Sequence, residues 1–160
     1  MSTTATEAAL AAVVVPPGGG QPVRAFGNAL LLKLTAEQTG NALSLALAEA
    51  AAQHGPPLHV HDREDEIFII LEGRYELFSE EGSAEAGPGS VVFLPRGVPH
   101  TFRVVSDEPG RHWVITTSGD FGRYFLECAD AFAVQGPPDV ARLGAIGARH
   151  GMRVVGPPAR

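Results

Sequence analysis

The sequence is short of the residues that several functions require. It holds one cysteine, Cys128, so neither an intrachain disulfide nor a cysteine-based zinc cluster is expected. A single thiol fits a reducing compartment, and a cytoplasmic location is expected. Basic residues are scarce: 12 Lys and Arg face 18 Asp and Glu, a net charge of −6. Duplex binders carry a basic face, and proteins held on anionic lipid carry basic segments, so neither nucleic acid nor membrane is expected as a partner. No Lys or Arg precedes Arg24, which removes the basic start of a secretory leader. The longest candidates for an apolar run, Ala8–Val15 and Ala42–Ala48 (the latter interrupted by Ser44), fall far short of the ~20 residues that span a bilayer.

What is present points to a compact β-rich domain. Hydrophobic residues make up 44% of the 160 and charged residues 19%, a balance that excludes a wholly disordered chain. There are 19 glycines and 13 prolines, which suits many short strands joined by turns. One domain is expected at this length.

The chain divides into three stretches. Residues 1–22 read as an N-terminal arm that breaks at Pro16-Pro17-Gly18-Gly19-Gly20. Residues 23–117 read as strands between turns: Ala29–Leu34, Asn41–Ala52, Glu66–Leu71, Arg74–Ser79, Ser90–Pro95, Thr101–Val105 and Arg111–Thr117. Asn41–Ala52 has helical composition. Its alternation of Leu43, Leu45 and Leu47 with Ser44, Ala46 and Ala48 has a period of two, which predicts a strand. From 118 to 160 the period becomes helical. Phe121, Tyr124, Phe125, Cys128 and Phe132 share one face, with Ser118 as N-cap. A second helix is predicted from Pro138, burying Val140, Leu143 and Ile146 and stopping at Gly151. The fold class expected is all-β, a small antiparallel barrel with C-terminal α-helices.

Four residues stand at metal-ligand spacing. His59 and His61 are two apart, so an extended segment points both imidazoles the same way. Glu66 follows at an odd offset, and the polar Asp62–Asp65 stretch predicts a break that returns Glu66 to the histidine face. His100 opens a later strand after Pro95-Arg96-Gly97-Val98-Pro99. The remaining histidines, His54, His112 and His150, read as ordinary hydrogen-bonded or solvated side chains.

These residues carry a resemblance to the cupin superfamily. The stretch from His59 to Gly73 (HVHDREDEIFIILEG) resembles the first cupin motif, and Gly89 to His100 (GSVVFLPRGVPH) the second. Val104 stands where the second motif ends in Asn. The tail from Gly119 to Phe125 resembles bacterial single-domain cupins of the quercetin 2,3-dioxygenase-like group. The resemblance implies a double-stranded β-helix and one divalent transition metal, Fe, Mn, Ni, Co, Cu or Zn, held by His59, His61, Glu66 and His100.

The walls of such a barrel are expected to be apolar, with Leu45, Leu47, Phe68, Leu77, Phe93, Phe102 and Trp113 lining a pocket for a small-molecule substrate. The function expected is a metal-dependent dioxygenase acting on a flavonol-like aromatic or enolic compound, with Glu66 as general base. The alternatives are a redox-neutral cyclase or isomerase, and a small-molecule binding module without turnover. Exposed sheet edges and the apolar arm make a homodimer the expected assembly.

Overall fold

The computed structural model describes residues 10–133 and 136–159. Two antiparallel sheets face each other. Strands β1 (Gln21–Ala25), β2 (Asn28–Leu34), β3 (Ser44–Ala50), β5 (Glu66–Glu72), β8 (Val91–Leu94) and β10 (Gly110–Thr116) form one, in the order β1-β2-β3-β10-β5-β8. Strands β4 (Pro57–His61), β6 (Tyr75–Ser79), β7 (Gly82–Ala86), β9 (His100–Val104) and β11 (Met152–Pro158) form the other, in the order β11-β4-β9-β6-β7. A one-turn helix α1 (Ala36–Thr39) follows β2, and helices α2 (Asp120–Phe132) and α3 (Val140–His150) follow β10. Among the described residues no helix is long and apolar enough to cross a membrane.

Leu32, Ala46, Phe68, Ile70, Tyr75, Val104 and Val114 form the centre of the core between the sheets. The alternation in β3 is the one expected, but its phase is reversed. Ser44, Ala46, Ala48 and Ala50 are buried, while Leu45 and Leu47 lie half-exposed on the outer face. Leu47 pairs with Trp113 and Leu45 with Ile115 on β10. Ile67 of β5 pairs in turn with Phe93 of β8. The outer face of the larger sheet is therefore apolar as well, and pattern alone could not tell the two faces apart. Small side chains on the inner face of β3 leave room inside the barrel.

The tail also departs from expectation. Helix α3 stops at Gly151 as expected, but the chain then forms a strand: β11 returns to pair with β4, setting Met152 opposite His61 and Val154 opposite His59. The helix caps shift slightly. Gly119, not Ser118, is the N-cap of α2. Asp139 caps α3 by accepting a 3.0 Å hydrogen bond from the Arg142 amide, so the helix begins at Val140 rather than Pro138. Gly151 ends α3 with φ of 73°, a left-handed value that glycine adopts at low cost. Val140 is 80% exposed rather than buried. Strands β1 and β7 were not evident from pattern, since both are short and mostly exposed.

Lys33, the only lysine in the sequence, fixes the start of the barrel. It is 7% exposed, and its Nζ donates to the carbonyls of Pro16, Pro17 and Gly19 at 2.7, 2.7 and 2.6 Å. A buried ammonium needs its protons matched, and these carbonyls match all three. Lys33→Met leaves them without a donor. It is expected to destabilise the fold by about 2 kcal/mol in chemical denaturation, the scale of hydrogen bonds to a charged group. Amide exchange should accelerate selectively across residues 16–25. Unchanged exchange there would show that Lys33 does not hold this segment.

Candidate metal centre

The period of a strand brings His59 and His61 to one side of β4. His100, at the start of β9, lies directly across the antiparallel pair from His59. Three imidazoles thus come from the smaller sheet. Glu66 opens β5 in the larger sheet, beside Leu94 of β8 and Thr116 of β10. Residues 62–65 carry the chain from one sheet to the other, the break that lets Glu66 face the histidines. One ligand atom from each of the four side chains lies within 4.8 Å of every other.

Every imidazole is held at its back. His59 Nδ1 donates to the Pro57 carbonyl at 2.8 Å and His100 Nδ1 to the Val98 carbonyl at 2.9 Å. His61 Nδ1 donates to Glu64 Oε1 at 3.1 Å. A neutral ring that donates from Nδ1 presents a bare lone pair at Nε2. Those lone pairs converge. Glu66 Oε2 lies 3.3 Å from His100 Nε2 and 3.7 Å from His61 Nε2. Both nitrogens are buried without a hydrogen-bond partner. Lone pairs gathered around a buried carboxylate repel one another, and a cation among them would satisfy all four groups. The donor set therefore fits a divalent ion.

The electrostatics favour positive charge beside Glu66. Burial, together with the His100 and His61 rings, pushes His59 down to about 4. Burial opposes the charged form of Glu66, yet the surrounding imidazoles, His61 foremost, hold its carboxyl down at about 2. For His61 burial works against protonation, but the Glu66 and Glu64 carboxylates outweigh it and raise its pKa.

Glu64 was not singled out in the sequence, where it sits within a polar turn. It is only 2% exposed, and it accepts from the Ser118 hydroxyl at 2.5 Å as well as from His61. Ser118 therefore serves the histidine cluster besides accepting a hydrogen bond from the Asp120 amide at the helix start. The only legible signal was an acidic residue three positions after His61.

The cluster opens onto a cavity of about 690 Å³. Of its four members, His59 and Glu66 line the cavity, while His61 and His100 lie behind them. Phe68 and Phe102 line it. Leu77 is buried but belongs to the core beside the cavity. Leu45, Leu47, Phe93 and Trp113 do not line it, a correction with one cause. Leu45, Leu47 and Trp113 occupy outward positions on β3 and β10, whose inward positions hold Ala48, His112 and Val114, and Phe93 is outward on β8, beside the buried Leu94. Phe93 is 61% exposed. The aromatic wall comes instead from α2, whose Phe121, Tyr124 and Phe125 face the opening, joined by Phe26. Their helical spacing was legible; their facing a cavity was not. Among the described residues, polar lining comes from Asn28, His59, Glu66, His112, Tyr124 and Arg153.

A surface ion pair joins the two ligand-bearing loops. Arg96 Nε and NH2 donate to Asp65 Oδ1 and Oδ2 at 3.0 and 2.8 Å, and the Arg96 amide donates to Oδ1 at 3.0 Å. Hydrogen bonds from the Arg96 side chain, then from its amide, lower the Asp65 pKa from 3.8 to about 2. The folded-state value is the depressed one, so this contribution is full above pH 3.8 and is lost as pH falls towards 2. In Arg96→Gln the Asp65 carboxyl should titrate closer to 3.8 in carbon-detected NMR. A value still near 2 would locate the cause elsewhere.

Comparison with known proteins gives the same fold. No curated protein sequence matches the chain. Among solved structures, the polyketide cyclase RemF from Streptomyces resistomycificus is 23% identical, with a TM-score of 0.57 over 66% of this chain and 79% of its own. A protein described as a predicted oxalate decarboxylase, from Thermotoga maritima, is 18% identical with a TM-score of 0.61, over 66% of this chain and 99% of its own. A sugar phosphate isomerase from Silicibacter pomeroyi is 23% identical with a TM-score of 0.50, and the match spans 57% of this chain and 59% of that one. Residues 46–116 match the family model described as a cupin domain. That stretch includes all four residues of the histidine–glutamate cluster and most of both sheets, so this part of the chain matches a cupin domain.

Proposed function

We propose that the protein is a metal-dependent enzyme acting on an aromatic, enolic or phenolic small molecule. One observation carries the reading. Three back-bonded imidazoles and a carboxylate converge at the edge of a large, aromatic-walled cavity, with His59 and Glu66 on the cavity side. A transition ion bound there would supply Lewis acidity and, if redox-active, a route for electrons to dioxygen. His59, His61, Glu66 and His100 are its ligands, and Glu64 orients His61 from behind.

The rest of the reading concerns the chain's own groups. Aromatic walls exclude water and suit a flat substrate. Glu66 Oε2 is the oxygen turned towards the imidazoles, which leaves Oε1 for a substrate hydroxyl. In this reading Glu66 takes the hydroxyl proton and so raises electron density on the substrate oxygen. The activity favoured is dioxygenation of a flavonol-like enol. The second reading is a redox-neutral cyclisation or isomerisation, supported by the same walls, which can fold a flexible chain against aromatic faces. Fold likeness does not choose between them, because cyclase, isomerase and decarboxylase share this barrel.

Three measurements test these readings. Titration with zinc in the presence of a competing chelator should give one ion per chain. The double variant His59→Ala/His61→Ala should fold and bind none. Glu64→Ala should bind 10- to 100-fold more weakly, roughly the cost of losing a residue that orients a metal-bound histidine. Full occupancy in the double variant would end the metal assignment. Screening of flavonols and linear polyketide-like enols, with and without oxygen, separates the two activities. Oxygen uptake matched to substrate loss supports dioxygenation, and equal turnover without oxygen supports cyclisation. With the active substrate, metal-saturated Glu66→Gln should be slower by roughly 10² to 10⁴. Wild-type rates would leave Glu66 as a ligand only.

A further inference from the structure

His112 belongs neither to the metal-ligand cluster nor to the surface. It is 2% exposed and lines the cavity. Inward positions on β10 run Thr116, Val114, His112, and Thr116 sits opposite Glu66. His112 therefore stands four residues further along the barrel, roughly 13 Å away at the backbone.

Tyr75 stands behind it. The Tyr75 Oη lies 2.9 Å from His112 Nδ1. Tyr75 is completely buried, and its hydroxyl makes no other hydrogen bond among the described residues. A buried hydroxyl proton needs an acceptor. The arrangement that provides one has Tyr75 donating to Nδ1, which leaves the His112 proton on Nε2. Nε2 makes no hydrogen bond among the described residues, yet it is not among the buried atoms that lack one. Its remaining exposure is to the cavity. Gly110 closes this arrangement, since any side chain there would collide with the Tyr75 ring and hydroxyl.

The surroundings keep the ring uncharged and fixed. Phe68 lies 4.6 Å from it and Phe102 5.5 Å, centroid to centroid. Burial pushes the His112 pKa to about 4, so the imidazole is neutral at neutral pH. A purely structural core position would be filled as well by an apolar ring. An N–H supported from behind and open to the cavity is placed to donate to whatever occupies it.

We propose that His112 is a ligand-binding residue whose Nε2–H donates to a carbonyl or phenolic oxygen of an elongated aromatic substrate, the other end of which sits at the histidine–glutamate cluster. This rests on the reading of the cavity as the substrate site. It deepens that reading by requiring two oxygen-bearing ends. A neutral donor among aromatic rings suits an uncharged or delocalised oxygen better than a carboxylate. It also confers selectivity. A substrate analogue lacking the distal oxygen would leave the N–H unpaired, which discriminates more sharply than a lost apolar contact. Tyr75 acts through His112 as a positioning residue.

The test uses the full chain labelled with ¹⁵N-histidine and the planar ketone 9-fluorenone as probe, both zinc-loaded and after chelation. Without probe, long-range ¹H–¹⁵N spectra should show His112 neutral with its proton on Nε2, and Tyr75→Phe should mix the tautomers. Bound fluorenone should show a carbonyl stretch lowered in the infrared, and the His112 Nε2–H resonance should move downfield. Both effects should persist without zinc. His112→Phe, which keeps an aromatic ring, should bind fluorenone roughly three- to tenfold more weakly, the scale of one neutral hydrogen bond, and the stretch should stay unshifted. A wild-type proton on Nδ1, absence of fluorenone binding, or an unshifted stretch in the wild type would each overturn the proposal without any variant. Equal affinity and stretch in His112→Phe would also overturn it. Zinc binding, read from the His59, His61 and His100 resonances, is a separate result, so failure of the metal reading is distinguishable from failure of this one.

Discussion

Each imidazole of the cluster uses its Nδ1 proton inside the protein, on Pro57, Val98 or Glu64. That constraint orders everything around it. It fixes ring rotation, sets the tautomer and aims the Nε2 lone pairs at one point. Two of those acceptors are backbone carbonyls two residues before the histidine. They come with the local path of the chain, and no extra side chain has to be positioned to supply them. The third is a side chain, Glu64, and it must be delivered by a turn. The Asp65–Arg96 pair and the hydrogen bond from the Gly97 amide to the His61 carbonyl tie that turn to the loop leading into His100. The precision of the cluster is thus a property of two loops joined together, with the sheets as their frame.

The division of labour between the sheets follows. The smaller sheet supplies all three imidazoles, and the larger supplies Glu66 together with the small side chains that hollow the barrel. The Glu66 carboxylate faces the imidazoles across the gap between the sheets. This geometry is compatible with a residue that both binds an ion and transfers a proton. Helices α2 and α3 do not contribute to the cluster's ligands. They determine instead how apolar the approach is, and β11 holds them in place by returning to β4 beside His59 and His61.

The cluster was legible because its signals are local. His59 and His61 announce themselves by a period of two, and His100 by the proline-flanked turn before it. Glu66 required only that a polar stretch break the strand. Glu64 was not legible, since an acidic residue in an acidic turn has no mark until the turn folds inward. The inner face of β3 was not legible either. Hydrophobic pattern assigns the larger apolar residues to the inside, and Leu45 and Leu47 obey that rule only where the interior is to be filled. Here the interior is left hollow and the outer face is apolar too. His112 and Tyr75 are 37 residues apart, and only strand register brings them together. The returning strand β11 was hidden because it contains prolines and pairs at an edge, where proline is tolerated.

The alanines of β3 have a thermodynamic consequence. Ala48 lines the cavity, where a larger side chain would fill space that a ligand can occupy. Wall atoms that face open space make fewer dispersion contacts than those of a filled core. Any molecule that fits supplies the missing contacts and binds only the folded form, so it must raise the melting temperature in proportion to its affinity and concentration. The barrel is in this sense its own reporter: heat capacity and melting point identify a ligand before any reaction is known.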